Sequence, residues 1–333
     1  MNRIINIAAI LLVVQIGLVA ALQFGKSNGE LQAPTTPLLG FSPESVTKVI
    51  ITGPEKEQLL LEKKGAEWLL PDFFGAPANK EQVAGILTKL AGLKQGMAVG
   101  TTAAAVKRFK VADDLFQRRV VVQAGDNSVG DLYLGTSPGF RQIHARKAGT
   151  ENVVAVELST FELEPKADQW LDKNMFQMKE EDMERLTFAD FTLEKKDKEW
   201  QLKDLPEGQT TDAKAAADLV SKVSGLTIQT VMKPQEAEPL FAGTPALQFS
   251  VSRKGGGVAE FRLVKAEGDA YILKHSERDL YCKVHNLQVE GLLKVNRDAL
   301  LVKPQAPPVE GAGQAGAETL PPEESEPQAD EGK

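Results

Sequence analysis

The sequence predicts an α+β fold: two tandem repeats of an antiparallel sheet packed on one main helix, after an N-terminal transmembrane helix. Three observations predict it: an apolar first segment, a ten-residue pattern that occurs twice, and the same order of strands and helices around each copy. Strands on either side of one helix are typical of an α+β domain. We predict a membrane anchor over residues 1–24, a linker over 25–40, repeats over 41–178 and 179–303, and a tail over 304–333.

The first segment, residues 4–22, is apolar apart from one Asn and one Gln. Its 19 residues, as a helix rising about 1.5 Å per residue, span roughly 28 Å, close to the hydrocarbon thickness of a bilayer. It is either a cleaved signal peptide, with residues 19–21 as the cleavage site, or an uncleaved anchor. We favour the anchor because the apolar run continues through Leu22. Arg3 marks the cytoplasmic side, so the body is expected outside the cytoplasm.

Two segments are predicted to stay outside the folded body. Residues 25–40 are rich in Gly, Ser and Pro and favour a flexible spacer. Residues 304–333 are rich in Pro, Ala and Gly and carry seven acidic residues against one Lys, a net charge of −6. Such a segment buries too little apolar surface to fold, so we predict disorder. Because the whole chain carries −7, the body is near neutral, which argues against a nucleic-acid partner.

Each repeat opens with a hairpin that carries a tryptophan. Residues 61–70 recur as residues 193–202 with seven of ten positions identical. In each copy two lysines end one strand, a two-residue turn follows, and Trp68 or Trp200 lies on the returning strand. We predict that both rings are buried between sheet and helix, and the alternative is a platform for stacking a ligand. Trp170 is expected to pack the end of the first repeat.

One helix follows each hairpin. The first runs over residues 79–93, with Asn79 and Gln82 as N-terminal signals and apolar residues at helical spacing. The second begins at Thr211 or Asp212 and has the same spacing through Leu226. Each helix ends at a Gly-Leu pair, so the two repeats correspond here as well.

Four strands and a short helix complete each repeat, and hairpin signals separate the strands. The predicted strands are 118–123, 131–134, 141–146 and 153–156 in the first repeat, and 247–253, 259–264, 270–275 and 280–284 in the second. The short helices are expected at 158–163 and 287–295. Residues 143–146 align with residues 271–274, which extends the correspondence between the repeats to the third strand of this run.

The residues that could bind a metal are few. The chain has three histidines, His144, His275 and His285, and one cysteine, Cys282, which has no partner for an internal disulfide. The closeness of His275, Cys282 and His285 suggests zinc, but on a strand residues 282 and 285 point to opposite faces. A tetrahedral zinc site also needs four ligands. We therefore predict a surface hairpin, with no metal and no cofactor.

Other motifs have simple structural explanations. Residues 135–139 are rich in glycine but lack the Gly-Lys-Ser/Thr ending of a phosphate-binding loop, so they predict a hairpin connection. The acidic run over residues 180–184 indicates a solvated surface between the repeats. Residues 135–139 also read Gly-x-Ser-x-Gly, but they lie between two predicted strands, whereas a nucleophile elbow joins a strand to a helix, and there is no His-Glu-x-x-His motif. We predict no catalytic residues and a protein that is not an enzyme.

Taken together, these features resemble the bacterial family called domain of unknown function 4340, over most of residues 1–300. The matching segments are the apolar anchor, Glu67-Trp68-Leu69, the helix at 79–93, Leu132-Tyr133-Leu134-Gly135, the strand at 141–146, and Trp170-Leu171-Asp172-Lys173. The chain departs from the family at Phe109-Lys110-Val111, where such proteins often show a Tyr-Gly-Leu turn.

The resemblance implies a periplasmic accessory role, because family members resemble partners of ABC-type exporters and gliding-motility auxiliary proteins. It supplies no catalytic residues. Our hypothesis is a single-pass bacterial inner-membrane protein, anchored by residues 4–22, whose periplasmic body binds a partner protein or an exported substrate. The alternative is a small-molecule or glycan-binding module that uses the cleft between the two repeats, since clefts between domains are preferred ligand sites.

Overall fold

A computed structural model describes residues 36–268 and 270–302, together with four helical residues of the first apolar segment, at positions 12, 14, 15 and 17. The predicted anchor over residues 1–24 and the predicted tail over residues 304–333 therefore lie almost wholly outside the described residues. Among the helices of the described part, none is long and apolar enough to cross a membrane.

The first nine strands form one antiparallel sheet, the core of what we call the first unit. In chain order they are β1 (Lys48–Thr52), β2 (Gln58–Lys64), β3 (Glu67–Leu70), β4 (Ala76–Pro77), β5 (Ala98–Gly100), β6 (Arg118–Ala124), β7 (Asn127–Leu134), β8 (Ile143–Lys147) and β9 (Val153–Val156). Across the sheet the order is β4-β3-β2-β1-β6-β7-β8-β9-β5.

The remaining eight strands form a second antiparallel sheet, the core of the second unit. They are β10 (Met183–Phe188), β11 (Thr192–Lys196), β12 (Glu199–Leu202), β13 (Thr230–Met232), β14 (Leu247–Arg253), β15 (Val258–Lys265), β16 (Ala270–His275) and β17 (Arg278–His285). Across the sheet the order is β12-β11-β10-β14-β15-β16-β17-β13. The described structure is thus α+β with two antiparallel sheets.

The two sheets match strand by strand apart from β4, which extends only the first. Their registers match as well. Tyr133 lies opposite Arg146 in the first sheet, and Arg262 lies opposite Lys274 in the second. This correspondence keeps residues 143–146 aligned with residues 271–274. The shared order and register fit the predicted internal repeat.

Each unit has one long helix on the inner face of its sheet. Helix α1 (Lys80–Gly92) is capped by Asn79, whose Oδ1 accepts from the Gln82 backbone N–H at 2.9 Å. Its apolar stripe is buried, as the spacing predicts. The short helices α2 (Ala103–Arg108) and α3 (Ala167–Trp170) complete the first unit.

The second unit contains α4 (Ala213–Ser224), α5 (Pro234–Ala237) and α6 (Asn286–Leu293). Asp212 caps α4 by accepting from two backbone N–H groups, at residues 214 and 215. Thr211 has a different role, because its Oγ1 accepts from the Leu202 backbone N–H at 2.8 Å. The two candidates for the helix start are thereby distinguished.

The tryptophan hairpins have the predicted geometry. Gly65 opens the first turn with φ +61°, and Asp197 and Lys198 both have positive φ in the second turn, as two-residue hairpin loops require. Trp68 lies opposite Lys63, and Trp200 lies opposite Lys195. Both rings are in the core, 5% and 9% exposed, so the prediction of buried rings is confirmed.

Several elements differ from the sequence-based expectations. The short elements β4, β5, β13, α2, α3 and α5 were not expected, because segments of two to six residues show too little periodicity. The expected strand at 141–146 begins at Ile143, after Arg141 with φ +55°. The expected helix at 158–163 is a 3₁₀ turn at Thr160–Leu163 with a capping box.

The folded body begins before the predicted end of the linker at residue 40. Leu38 and Leu39 are buried in the core, and the Leu38 backbone N–H donates to the Leu93 carbonyl at 2.8 Å. An isolated β-bridge between Pro37 and Lys94 also holds this segment against the residues that follow α1. This part of residues 25–40 is therefore structured, and residues 25–35 lie outside the described ranges.

One continuous cluster of buried side chains runs through both units. The connecting segment contributes Phe176, which stacks on His275 with ring centroids 4.9 Å apart. Arg278 of the second unit forms an ion pair with Glu67 of the first at 2.7 Å. The units are thus joined by shared apolar burial and by a charged contact at its edge.

Candidate functional site

The outer faces of the two sheets, opposite the core helices, carry different side chains. On each outer face, two rows of side chains run across adjacent strands because their residues lie opposite one another in the register. In the second unit we call them the hydroxyl row and the cationic row. The hydroxyl row is Thr192, Thr187, Ser250 and Glu260. The cationic row is Gln248, Arg262, Lys274 and Tyr281.

The same positions of the first unit hold different chemistry. The counterparts of the hydroxyl row are Leu60, Ile50, Val121 and Asp131. The counterparts of the cationic row are Arg119, Tyr133, Arg146 and Val153. Three hydroxyl-bearing residues of the second unit thus replace three aliphatic residues of the first. A shared backbone therefore presents two different outer surfaces.

The first unit satisfies its outer polar groups from within its own chain. Arg119 donates to both carboxylate oxygens of Asp131, at 3.0 and 2.7 Å, which raises the pKa of the guanidinium. Arg146 places all three guanidinium nitrogens on partners: the Val111 carbonyl, the Thr150 carbonyl and Asp113. The segment that follows α2 covers this side with apolar side chains, so the outer face is closed here.

The second unit leaves its outer groups with few partners. Arg262 uses only Nη2, which donates to the Phe241 and Gly243 carbonyls, both at 2.9 Å. Its Nε is buried and has no partner within the described part of the chain. The Glu260 carboxylate and the hydroxyls of Thr187 and Ser250 likewise make no side-chain hydrogen bond to another described residue. The Arg–Asp pair of the first unit has no counterpart here, because Gln248 replaces the arginine.

Two cavities lie along these rows. One has a volume of about 550 Å³ and is lined by residues that include Glu238, Phe241, Glu260, Arg262, Lys274 and His275. The other has a volume of about 340 Å³ and is lined by residues that include Thr187, Gln248, Ser250 and Glu260. Glu260 belongs to both, and we call the combined depression the outer groove. It is the candidate functional site.

The charges of the outer groove are partly paired. Lys274 Nζ lies 4.4 Å from the centre of the Tyr281 ring, donates to the Tyr281 hydroxyl at 2.9 Å, and is 3.3 Å from Asp279. The hydrogen bond to Tyr281 is the main cause that raises the pKa of Lys274. Arg278 is held by Glu67 of the first unit. Arg262, Glu238 and Glu260 remain without an ion-pair partner among the described residues.

His275 forms one end of the groove wall and is held as a neutral imidazole. Its ring lies between Phe176 and Phe261, with centroids 4.9 and 4.6 Å away. Burial, followed by the nearby Arg253 and Arg278, lowers the pKa of His275 to about 4. Nδ1 accepts from the Glu277 backbone N–H at 3.1 Å, so the single proton of the neutral ring is on Nε2.

His275 also ends an aromatic ladder on the inner face of the second sheet. Phe188, Phe249, Phe261 and His275 lie opposite one another across four adjacent strands. The ring centroids of the three phenylalanines are 5.2 and 4.7 Å apart. The strands that carry this ladder on the inner face also carry the two rows on the outer face. The ladder therefore supports the groove from the other side of the sheet.

The residues that we considered as zinc ligands have roles in packing or helix capping. Cys282 is fully buried in the core, and burial raises its thiol pKa to about 12. In the register it takes the place of Val154. His285 is exposed and accepts from the Leu287 backbone N–H at the start of α6. Over the described ranges, no group of three His, Cys, Asp or Glu side chains could hold a metal ion.

His144 is also placed by packing. It is buried in the first unit, and its ring lies 4.1 Å from that of Phe109. Nδ1 is 2.9 Å from Thr136 Oγ1. Residues 135–139 connect β7 to β8, as the hairpin interpretation predicts. A side chain at Gly135 would meet the Phe109 carbonyl at 1.9 Å, so this glycine allows close backbone approach.

Sequence reasoning missed the groove residues Thr187, Ser250, Glu260 and Arg262. Each is an ordinary polar residue on the outer side of a strand and belongs to no motif. A signal was present in the repeat itself, since aligning the two copies outside the tryptophan hairpin sets hydroxyl residues against aliphatic ones. That alignment needs the strand register, which the structure supplies.

Comparison with known proteins gives one match. A family model described as "Domain of unknown function (DUF4340)" matches residues 68–242, more than half of the chain. No curated protein and no solved structure matches the chain. The matched region contains the first tryptophan, both long helices, most of β3 and the strands from β4 to β13. The chain therefore belongs to the domain of unknown function 4340 family.

Proposed function

We propose that this protein is a non-catalytic binding or assembly component of the bacterial cell envelope, anchored in the inner membrane by residues 4–22. In this proposal the two units are repeats of one another and lie in the periplasm. The outer groove of the second unit binds a partner protein or an exported substrate. A place beside an ABC-type export system is the role that family resemblance suggests.

One observation carries the proposal: two matching outer faces, of which one is closed and the other open. Arg146 in the first unit has every guanidinium nitrogen satisfied by its own chain. Arg262 in the second unit has one of three satisfied. A buried donor is costly to leave without a partner, and Arg262 Nε is such a donor. An external ligand is a simple way to satisfy it.

A non-catalytic role is supported by the surroundings of the shifted groups. The lowered pKa of His275 follows mainly from burial between two phenylalanine rings, which prevents it from carrying charge near neutral pH. Burial among apolar neighbours raises the pKa of the Cys282 thiol, and the nearby Arg278 acts in the opposite direction. Neither group is paired with a second titratable side chain in the way that nucleophilic or acid–base catalysis requires.

The alternative function is a small-molecule or glycan-binding module at the cleft between the repeats. One contact favours a site close to that cleft, because Arg278 at the rim of the groove reaches Glu67 of the first unit. The cavity itself is lined by second-unit residues. Both functions therefore make the same surface the place to test.

The test is recovery of bound material with the full-length chain from detergent-solubilised membranes. Glu260→Trp should block both cavities, since Glu260 lines each of them. We expect it to reduce the recovery of specific proteins or glycans by about tenfold or more, which corresponds to roughly 1.4 kcal/mol.

Lys265→Trp is the matched control, because Lys265 is an exposed residue at the end of the same strand, outside the cavities. It should leave the recovered material unchanged. Equal recovery with the two variants would contradict the assignment of the groove as the binding surface.

A further inference from the structure

We infer, on the basis of the proposed binding function, that the outer groove takes a neutral polyhydroxylated chain, an oligosaccharide. The residues that bind it are Thr187, Ser250, Glu260 and Arg262. Three features of the groove favour this ligand: its hydrogen-bonding groups, their charge, and their place on the face of the sheet.

The groove presents hydrogen-bonding groups of both kinds. A side-chain hydroxyl both donates and accepts, a carboxylate only accepts, and a guanidinium only donates. Thr187, Ser250, Glu260 and Arg262 supply all three kinds on three strands of a regular sheet. Saccharide hydroxyls both donate and accept, so they match this mixture. An apolar ligand would leave these groups without hydrogen-bond partners.

The charge balance disfavours an anionic ligand. Lys274 is committed to Tyr281 and Asp279, and Arg278 is committed to Glu67. The groups left are one cation, Arg262, and two carboxylates, Glu238 and Glu260. His275 is neutral. A phosphate-rich chain would meet more negative than positive free charge and would be repelled.

The reach of the groove fits a chain better than a single ring. Thr192, Thr187, Ser250 and Glu260 lie directly opposite one another on four neighbouring strands. At about 4.8 Å between strands, the row extends over roughly 14 Å. The cationic row lies two residues along β14 and β15 and continues across β16 and β17. A short oligosaccharide laid across the strands therefore meets both rows.

The location on a sheet face favours a saccharide over an extended peptide. Peptides that bind to sheets usually add at an edge, where unpaired backbone groups give the affinity. Strands β10, β14 and β15 are each paired on both sides. Only side chains are available to a ligand here. Side-chain recognition of hydroxyl groups is thus the interaction that the groove offers.

The first unit provides a built-in comparison. Ile50 and Val121 occupy the positions of Thr187 and Ser250 in a matching register. Thr187→Ile/Ser250→Val therefore transfers the aliphatic surface of the first unit to the second. Because the matching backbone already accepts these residues, the fold should persist while the hydroxyls are lost.

The experiment uses the purified full-length chain in a detergent without a sugar headgroup. Cellotetraose, maltotetraose and the tetramer of N-acetylglucosamine are titrated by isothermal calorimetry and by ligand-observed NMR. We expect at least one to bind with a Kd between about 1 μM and about 1 mM. Thr187→Ile/Ser250→Val and Glu260→Gln should each weaken that binding about tenfold or more.

Val121→Thr in the first unit is the matched control and should leave binding unchanged, since Val121 is outside the groove. Circular dichroism melting of each variant shows whether it is folded. The inference is overturned if none of the three saccharides binds at about 10 mM, or if the groove substitutions leave saccharide binding intact. Preferential binding of inorganic phosphate or of a neutral tetrapeptide would overturn it too.

These results separate the ligand class from the binding function. If Glu260→Trp reduces the material recovered from membranes while no saccharide binds, the groove is a binding surface for another ligand class. If Glu260→Trp leaves the recovered material unchanged and no saccharide binds, the proposed function fails as well.

Discussion

At the scale of single residues, equivalent positions of the two units have different surroundings. Lys147 and His275 occupy matching places at the ends of β8 and β16. The lysine is exposed at the end of its strand, whereas the histidine is enclosed by Phe176 and Phe261. Enclosure removes water from the imidazole, and the charged form loses more from that than the neutral form does.

The first residue-scale prediction concerns pH. The pKa of His275 is about 4 in the folded protein against an ordinary 6.5, so the unfolded chain binds this proton more readily. The stability contribution is therefore fully present above pH 6.5 and is lost as the pH falls toward 4. At pH 5 the loss amounts to about 2 kcal/mol relative to pH 8. His275→Phe should remove this part of the pH dependence in urea unfolding.

His285→Asn serves as the control, because His285 is exposed and an asparagine retains the helix cap. Between pH 8 and pH 5, that variant should lose as much stability as the parent protein does. A His275→Phe protein that loses as much stability as the parent would show that other groups cause the acid sensitivity.

At the scale of elements, strong local signals were enough for the long helices and the hairpins. Asn79 and Asp212 cap helices whose apolar stripes face a sheet. Positive φ values at Gly65 and Asp197 fit the two-residue turns. The short segment β13 pairs with β17 only after the chain has folded back. Its three residues carry no pattern that could have indicated a strand.

The element-scale prediction concerns the two tryptophan strands. Trp68 and Trp200 are buried against their own units, so truncation to alanine leaves a cavity in the core. Each substitution should cost roughly 3–5 kcal/mol, measured by urea unfolding of a fragment comprising residues 36–303. The fragment begins at residue 36 in order to keep the buried Leu38 and Leu39.

Glu199→Ala is the control, because Glu199 is an exposed neighbour of Trp200 on the same strand. It should change stability by less than about 0.5 kcal/mol. A Trp200→Ala fragment as stable as the parent would show that the ring contributes to binding and not to the core.

At the scale of the whole molecule, the chain combines a near-neutral body with an apolar first segment and an acidic tail. The body holds its two units together through a continuous apolar core and the Arg278–Glu67 pair. In the proposed topology, residues 4–22 set the position of the body relative to the membrane.

The whole-molecule prediction concerns that position. If residues 4–22 form an uncleaved anchor, the mature chain should begin at Met1 or Asn2, as read by N-terminal mass spectrometry. A reporter that is active only in the periplasm, fused after residue 300, should be active. The same reporter fused to a chain lacking residues 1–24 should be inactive, since that chain is not exported.

Either of two results would reject this topology. A mature chain that begins near residue 22 would show a cleaved signal peptide. An inactive reporter on the full-length chain would place the body in the cytoplasm.

The sequence by itself determined the α+β class, the correspondence of the tryptophan hairpins and the two long helices. It could do so because each of these depends on residues close together in the chain. Caps lie within four residues of the groups they satisfy, turns within two, and an apolar stripe repeats every three or four. The family resemblance rested on the same local segments.

Only the tertiary structure decided where the outer groove lies. Thr187, Ser250, Glu260 and Arg262 come from three strands that are separated in the chain by up to 75 positions, from residue 187 to residue 262. The register between those strands places Thr187, Ser250 and Glu260 opposite one another, and Arg262 lies two residues from Glu260 on the same face. Because a shift of one residue would turn every side chain to the other face, no local pattern in the sequence could have identified these residues as one surface.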